Sequence, residues 1–103
     1  MNVYNWSQVP EEQVNSLASR QLIFSETMTV IRRRLSKGAV TQLHQHPDDQ
    51  ICMIERGKLR FVVSGEERIL KSGEVVAIQP NAPHSVEALE DSVVTDLFAT
   101  PQP

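Results

Sequence analysis

From Arg20 onward, short apolar and β-branched runs recur every 8 to 12 residues, each closed by a turn signal. A chain with that rhythm and no long helical period folds as an all-β sandwich or barrel. The runs read as strands over 20–24, 27–35, 39–46, 50–55, 59–63, 68–70, 75–79, 84–89 and 92–99. The second is rich in Thr27, Thr29, Val30 and Ile31, whose branched side chains suit a pleated surface. Segments 50–55 and 75–79 are nearly all apolar, and the first is expected to be buried on both faces. Gly38, Gly57 and Gly73 stand where tight turns are needed. Residues 1–16 are polar with scattered Val3, Tyr4, Trp6 and Val9, and read as an irregular arm packing Tyr4 and Trp6 on the body. Pro10, Glu11 and Glu12 suit the first turn of a short helical segment there. The body then spans 17–100, and 101–103 is a proline-rich tail.

With 103 residues the chain makes one domain with one core. A net charge of -3, with Arg32, Arg33 and Arg34 as the one basic cluster, offers no footprint for nucleic acid or an anionic membrane surface. No apolar run approaches the roughly 20 residues that span a bilayer. The first residues lack the basic and apolar regions of a signal peptide, and Cys52 is the sole cysteine. A cytoplasmic location without disulfides is therefore the expectation.

The chemistry concentrates between Gly38 and Gly57. His44 and His46 sit two apart, so in a strand both imidazoles share one face. Pro47, Asp48 and Asp49 turn the chain, and Gln50 comes back beside the pair. His84 follows Pro83 at the mouth of a later strand, a rim position where ligands gather in small barrels. Three imidazoles and one oxygen donor describe a transition-metal site. An isolated pair of this kind also occurs on solvated strands. Here it adjoins Leu43, Ile51, Cys52, Met53 and Ile54, an apolar setting in which polar groups need partners.

The spacing Gly38-x5-His44-x-His46-x3-Gln50-x6-Gly57 resembles the first cupin motif, with glutamine in place of the usual glutamate. Gly73-x5-Gln79-x-Asn81-x2-His84 resembles the second, with Asn81 at the usual glycine. Asparagine tolerates the left-handed backbone that a glycine would adopt. The resemblance implies a double-stranded β-helix (jelly-roll) barrel, a homodimer, and one divalent transition metal (Ni, Zn, Fe or Mn) held by His44, His46, Gln50 and His84. A neutral Gln50 leaves a divalent ion its full charge, which favours anionic ligands and disfavours oxygen activation.

Asp96 shares a strand face with Val94 and Phe98. If that face looks inward, Asp96 is a carboxylate in an apolar lumen and a candidate general base or acid. If Val93, Thr95 and Leu97 face inward instead, Asp96 meets water. The ending A-L-E-D-S-V-V-T-D-L-F-A-T-P, taken with H-x-H-x3-Q, resembles the uronate-linearising cupins of the KdgF type. That resemblance implies an Asp96–Phe98 pair lining the site and an anionic sugar as substrate. Cupins of that type use an arginine just beyond the pair, where this chain has Gln102. Substrate-carboxylate binding then has to come from elsewhere, and Arg32 is the favoured candidate over Arg33 and Arg34. Cys52, on the face of Gln50, reads best as a small buried filler. Two other functions fit the same residues: an Fe(II)-dependent dioxygenase, and a non-catalytic module that binds a metal or sugar.

Overall fold

The computed structural model of the protein describes residues 1–99. Thr100 and the tail at 101–103, with Gln102, lie outside the described residues. A 3-10 turn at Trp6–Gln8 precedes the strands β1 Glu12–Asn15, β2 Ala18–Phe24, β3 Met28–Leu35, β4 Val40–His44 and β5 Gln50–Arg56. They continue as β6 Lys58–Val63, β7 Glu66–Lys71, β8 Val75–Ile78, β9 His84–Ala88 and β10 Ser92–Ala99. One sheet has the order β1-β2-β3-β10-β5-β8 and the other β4-β9-β6-β7, all pairs antiparallel. This is the expected all-β jelly roll. Among the described residues no helix is long and apolar enough to cross a membrane.

Alternation along the strands sorts each side chain to the lumen or to the outside. The lumen core joins Cys52, Ile54, Ile78 and Val94 of the larger sheet to Leu59, Phe61, Leu70 and Ala88 of the smaller. Leu59 and Ile78 are the large side chains buried most completely, each contributing about 1.5–3 kcal/mol by leaving water. The apolar runs of β5 and β8 are less buried than their composition implies. Ile51 is 40% and Val75 60% exposed, because both point to the outer face of a sheet that carries no second layer there. Apolar content alone does not distinguish a strand covered on both sides from one covered on one.

The amino-terminal arm is also more regular than expected. Its helical turn lies at Trp6–Gln8, before Pro10, where the Asn5 side chain accepts from Ser7 N–H. Gln21 Nε2 then ties the arm down by donating to the carbonyls of Trp6 and Val9 at 2.7 and 2.8 Å. Beyond it β1 pairs with β2, matching Glu12 to Arg20. All four β1 residues are exposed, so no burial pattern marks the strand in the sequence. Backbone pairing and the Arg20–Glu12 contact at 2.9 Å hold it.

Gly57 carries the chain from β5 in one sheet to β6 in the other with φ of 103°. A Cβ there would lie 2.6 Å from Ser92 Cβ and 2.7 Å from the Asp91 carbonyl oxygen. Left-handed backbone and a clash with backbone act together at this position. Gly57→Ala is expected to cost about 2–4 kcal/mol of folding stability, read as a lowered urea midpoint by circular dichroism. An unchanged midpoint would contradict this account of the crossover.

Candidate metal centre

Two backbone features bring the distant histidines together. β4 and β9 pair so that Thr41 lies opposite Val86 and His44 opposite His84. Three residue steps on β4 match two on β9, so β4 carries one extra residue, a β-bulge that re-aims the side chain after it. The bulge turns Leu43 outward, 67% exposed, and gives His44 the lumen face that Thr41 already occupies. The pairing ends at His44, so His46 stands in the following loop rather than on the strand. The Asn81 backbone N–H donates to the His46 carbonyl at 2.7 Å, tying that loop to the segment that leads into His84. Asn81 has φ of 63°, the left-handed conformation expected of a residue at the glycine position of the second motif.

One ring nitrogen from each of His44, His46 and His84 lies within 4.8 Å of the others. His84 is buried, His46 half-buried and His44 exposed, so the cluster sits at the mouth of the barrel. All three Nδ1 atoms face backbone carbonyls: Gln42 at 2.9 Å, Asp48 at 3.1 Å and Ala82 at 2.8 Å. A carbonyl only accepts, so each Nδ1 carries a proton, and Nε2 is the nitrogen through which each ring could ligate a metal. This is the outer-shell arrangement by which ligating histidines are oriented.

Gln50 lies beside the cluster. Its Nε2 donates to Asp96 Oδ1 at 3.0 Å, which leaves Oε1 against His46 Nε2 at 3.1 Å. With the Nδ1 proton on the carbonyl side, that contact sets two lone pairs against each other. A cation shared by both atoms would resolve it, and the donor set of three imidazoles and an amide oxygen fits a divalent transition metal. The bond from Gln50 to Asp96 is one that an ionised glutamate could not make. A glutamate there would set an acceptor against Asp96, with no N–H to bridge them.

Asp96 faces the lumen with Val94 and Phe98, and its surroundings are polar rather than the apolar ones expected. Arg33 Nε donates to Oδ2 at 2.7 Å, and the Cys52 thiol also bonds to the carboxylate. Burial first, then the Asp96 charge, pushes the Cys52 thiol far above its ordinary range, so it stays protonated as a packing group and donor. Phe98 meets the His46 ring edge-on at 5.7 Å between centroids. His44, His46, His84, Gln50, Asp96 and Phe98 line one cavity of about 220 Å³, room for a ligand of monosaccharide size.

Arg32 is not at this cavity, which corrects the expectation placed on it. It points to the outer face, where Nε donates to Glu55 at 2.9 Å and the guanidinium lies 5.9 Å from the Trp6 ring centroid. Arg33 is the arginine that lines the cavity. Its alternation with Ile31 and Leu35 was the available signal, because those apolar neighbours belong to the covered face. Arg34 is exposed and lies 3.7 Å from Glu11. The apolar setting inferred from Leu43 and Ile51 also fails, since both are exposed. Buried Cys52 and Ile54 supply it instead.

Residues 32–99 match the family described as Cupin domain. The chain belongs to the cupin family. It is 33% identical over 95 residues to the pectin degradation protein KdgF of Dickeya dadantii, covering 89% of this chain and 86% of that protein. The structure of KdgF from a Halomonas species superposes with a TM-score of 0.92 at 26% identity, covering 99% of this chain and 96% of that one. An RmlC-like cupin from Shewanella frigidimarina also reaches 0.92, at 20% identity over 98% of this chain and 92% of that one.

In this cupin, His84→Ala is expected to weaken binding of a divalent ion at least about 10-fold while the circular dichroism spectrum is retained. Elemental analysis after dialysis reads the loss, and full occupancy in the variant would remove His84 from the ligand set. Burial, helped by the nearby His44 and His46, pushes the His84 pKa below its usual 6.5 against the opposing pull of the Ala82 carbonyl and Asp96. The folded metal-free protein therefore holds fewer protons here than the unfolded chain once the pH drops below about 6.5. His84's contribution to stability is full above that pH and declines below it. Thermal unfolding of metal-free protein between pH 7 and pH 5 should show a fall that is shallower in His84→Gln. Equal slopes would contradict the assignment.

Proposed function

We propose that this cupin linearises an unsaturated uronate monosaccharide, converting the cyclic sugar left by a lyase into its open-chain ketone form. The observation that carries the reading is Asp96, which stands in the same small cavity as three imidazoles and is held there by Gln50 and Arg33. The likeness to a protein named for pectin degradation adds the substrate class.

The reaction is an isomerisation. The bond between the anomeric carbon and the ring oxygen breaks, the anomeric hydroxyl loses its proton as the aldehyde forms, and the released enolate takes that proton on carbon to become a ketone. Atoms and electrons balance without an oxidant. His44, His46, His84 and Gln50 would hold a divalent ion, which would supply Lewis acidity to a sugar oxygen. Asp96 takes the hydroxyl proton and returns it to the enolate carbon. Its two oxygens are each oriented by a donor, so proton transfer starts from a fixed geometry. Phe98 closes the wall beside His46 and excludes water from that side.

Unsaturated galacturonate followed by proton NMR with purified, metal-analysed protein tests the proposal. The alkene signal should vanish faster than the spontaneous background, and Asp96→Asn should slow the loss by roughly 100-fold or more. A wild-type rate equal to background would overturn the reading.

A further inference from the structure

We propose that Arg33 recognises the carboxylate of the sugar, so that the cavity selects an acid over its uncharged counterpart. The inference rests on the uronate reading for the sugar but takes the charge preference from the structure. Arg33 is the one Lys or Arg side chain that lines the cavity holding the three histidines. It lies on β3 between the inward-facing Ile31 and Leu35, with its side chain 30% exposed. Nε is committed to Asp96 Oδ2 at 2.7 Å, which fixes the plane of the guanidinium. No acceptor among the described residues takes its two Nη nitrogens, which leaves most of the five donors of the group for a ligand.

A guanidinium fixed through Nε and free along its Nη edge matches the fork that holds a carboxylate through two parallel bonds. Asp96 does not spoil the site for an anion. Its charge is balanced by Arg33 itself, and Gln50 Nε2 occupies its other oxygen. The groups facing Arg33 from neighbouring strands reinforce this. Val94 on β10 is apolar, and Arg20 on β2 is cationic and held at its far end by Glu12. The neutral amide of Gln50 adds no negative charge to the lumen. One arginine therefore orders the proton-carrying carboxylate through Nε and reads the charge of the ligand through Nη.

Calorimetric titration of the metal-loaded protein with galacturonate and with methyl galacturonate, its uncharged ester, tests this. The wild type should prefer the acid by 10-fold or more, and the preference should shrink with added salt. Arg33→Gln should bring the two affinities within about 2- to 3-fold of each other, while Arg33→Lys should retain part of the preference. A residue that only shapes the pocket would weaken both ligands alike and leave their ratio intact, and that result would overturn the proposal. So would a wild type without preference, an outcome that needs no variant to fold. A protein that prefers the acid but leaves unsaturated galacturonate at its background rate keeps the Arg33 assignment and removes the linearisation reading. Turnover with an acid-to-ester ratio unmoved by Arg33→Gln does the reverse.

Discussion

Gln50, His84 and Asp96 are all buried at the mouth of a largely apolar barrel, and burial without a partner costs each of them about 1–3 kcal/mol. The arrangement of the site follows from that constraint. Asp96 takes donors from Arg33 and Gln50, Gln50 turns its remaining oxygen to His46, and His84 gives its Nδ1 proton to the Ala82 carbonyl. One demand is left over, the facing lone pairs of His46 Nε2 and Gln50 Oε1, and a cation held there would meet it. The metal centre is in this sense what remains when the buried polar groups have satisfied one another.

Position 50 illustrates how strongly neighbours decide chemistry here. An amide has a donor end and an acceptor end, and Asp96 claims the donor. The acceptor is thereby aimed at His46. A site built this way contributes no formal negative charge from its ligands, and its one carboxylate is matched by Arg33. That charge balance is what the proposed anionic ligand and proton transfer draw on.

The backbone performs the other half of the assembly. The bulge in β4 rotates His44 to the lumen, the β4–β9 register sets His84 across from it, and Asn81 ties the two motif loops with one hydrogen bond. Each device acts at a strand end or turn, where the sheet can bend without losing a run of ladder bonds. Gly57 serves the same purpose at the crossover between sheets, where a side chain would meet Ser92 and the Asp91 carbonyl.

Strand rhythm, turn glycines and the two histidine-bearing motifs were legible in the sequence because they depend on local backbone preference and on period-two alternation. The left-handed Asn81 belongs with them. What the chain alone left open was decided by which face of each strand became covered. Arg32 and Arg33 are chemically identical neighbours, and only the packing of β3 beside β10 sends one to Glu55 outside and the other to Asp96 within. The same holds for Asp96, whose inward direction and polar company follow from pairing between β10, β3 and β5. β1 was invisible for a related reason, since an exposed strand held by backbone bonds and one ion pair buries nothing that its residues can record. Local spacing names the groups that can bind and react, whereas contacts between residues tens of positions apart determine which of them meet.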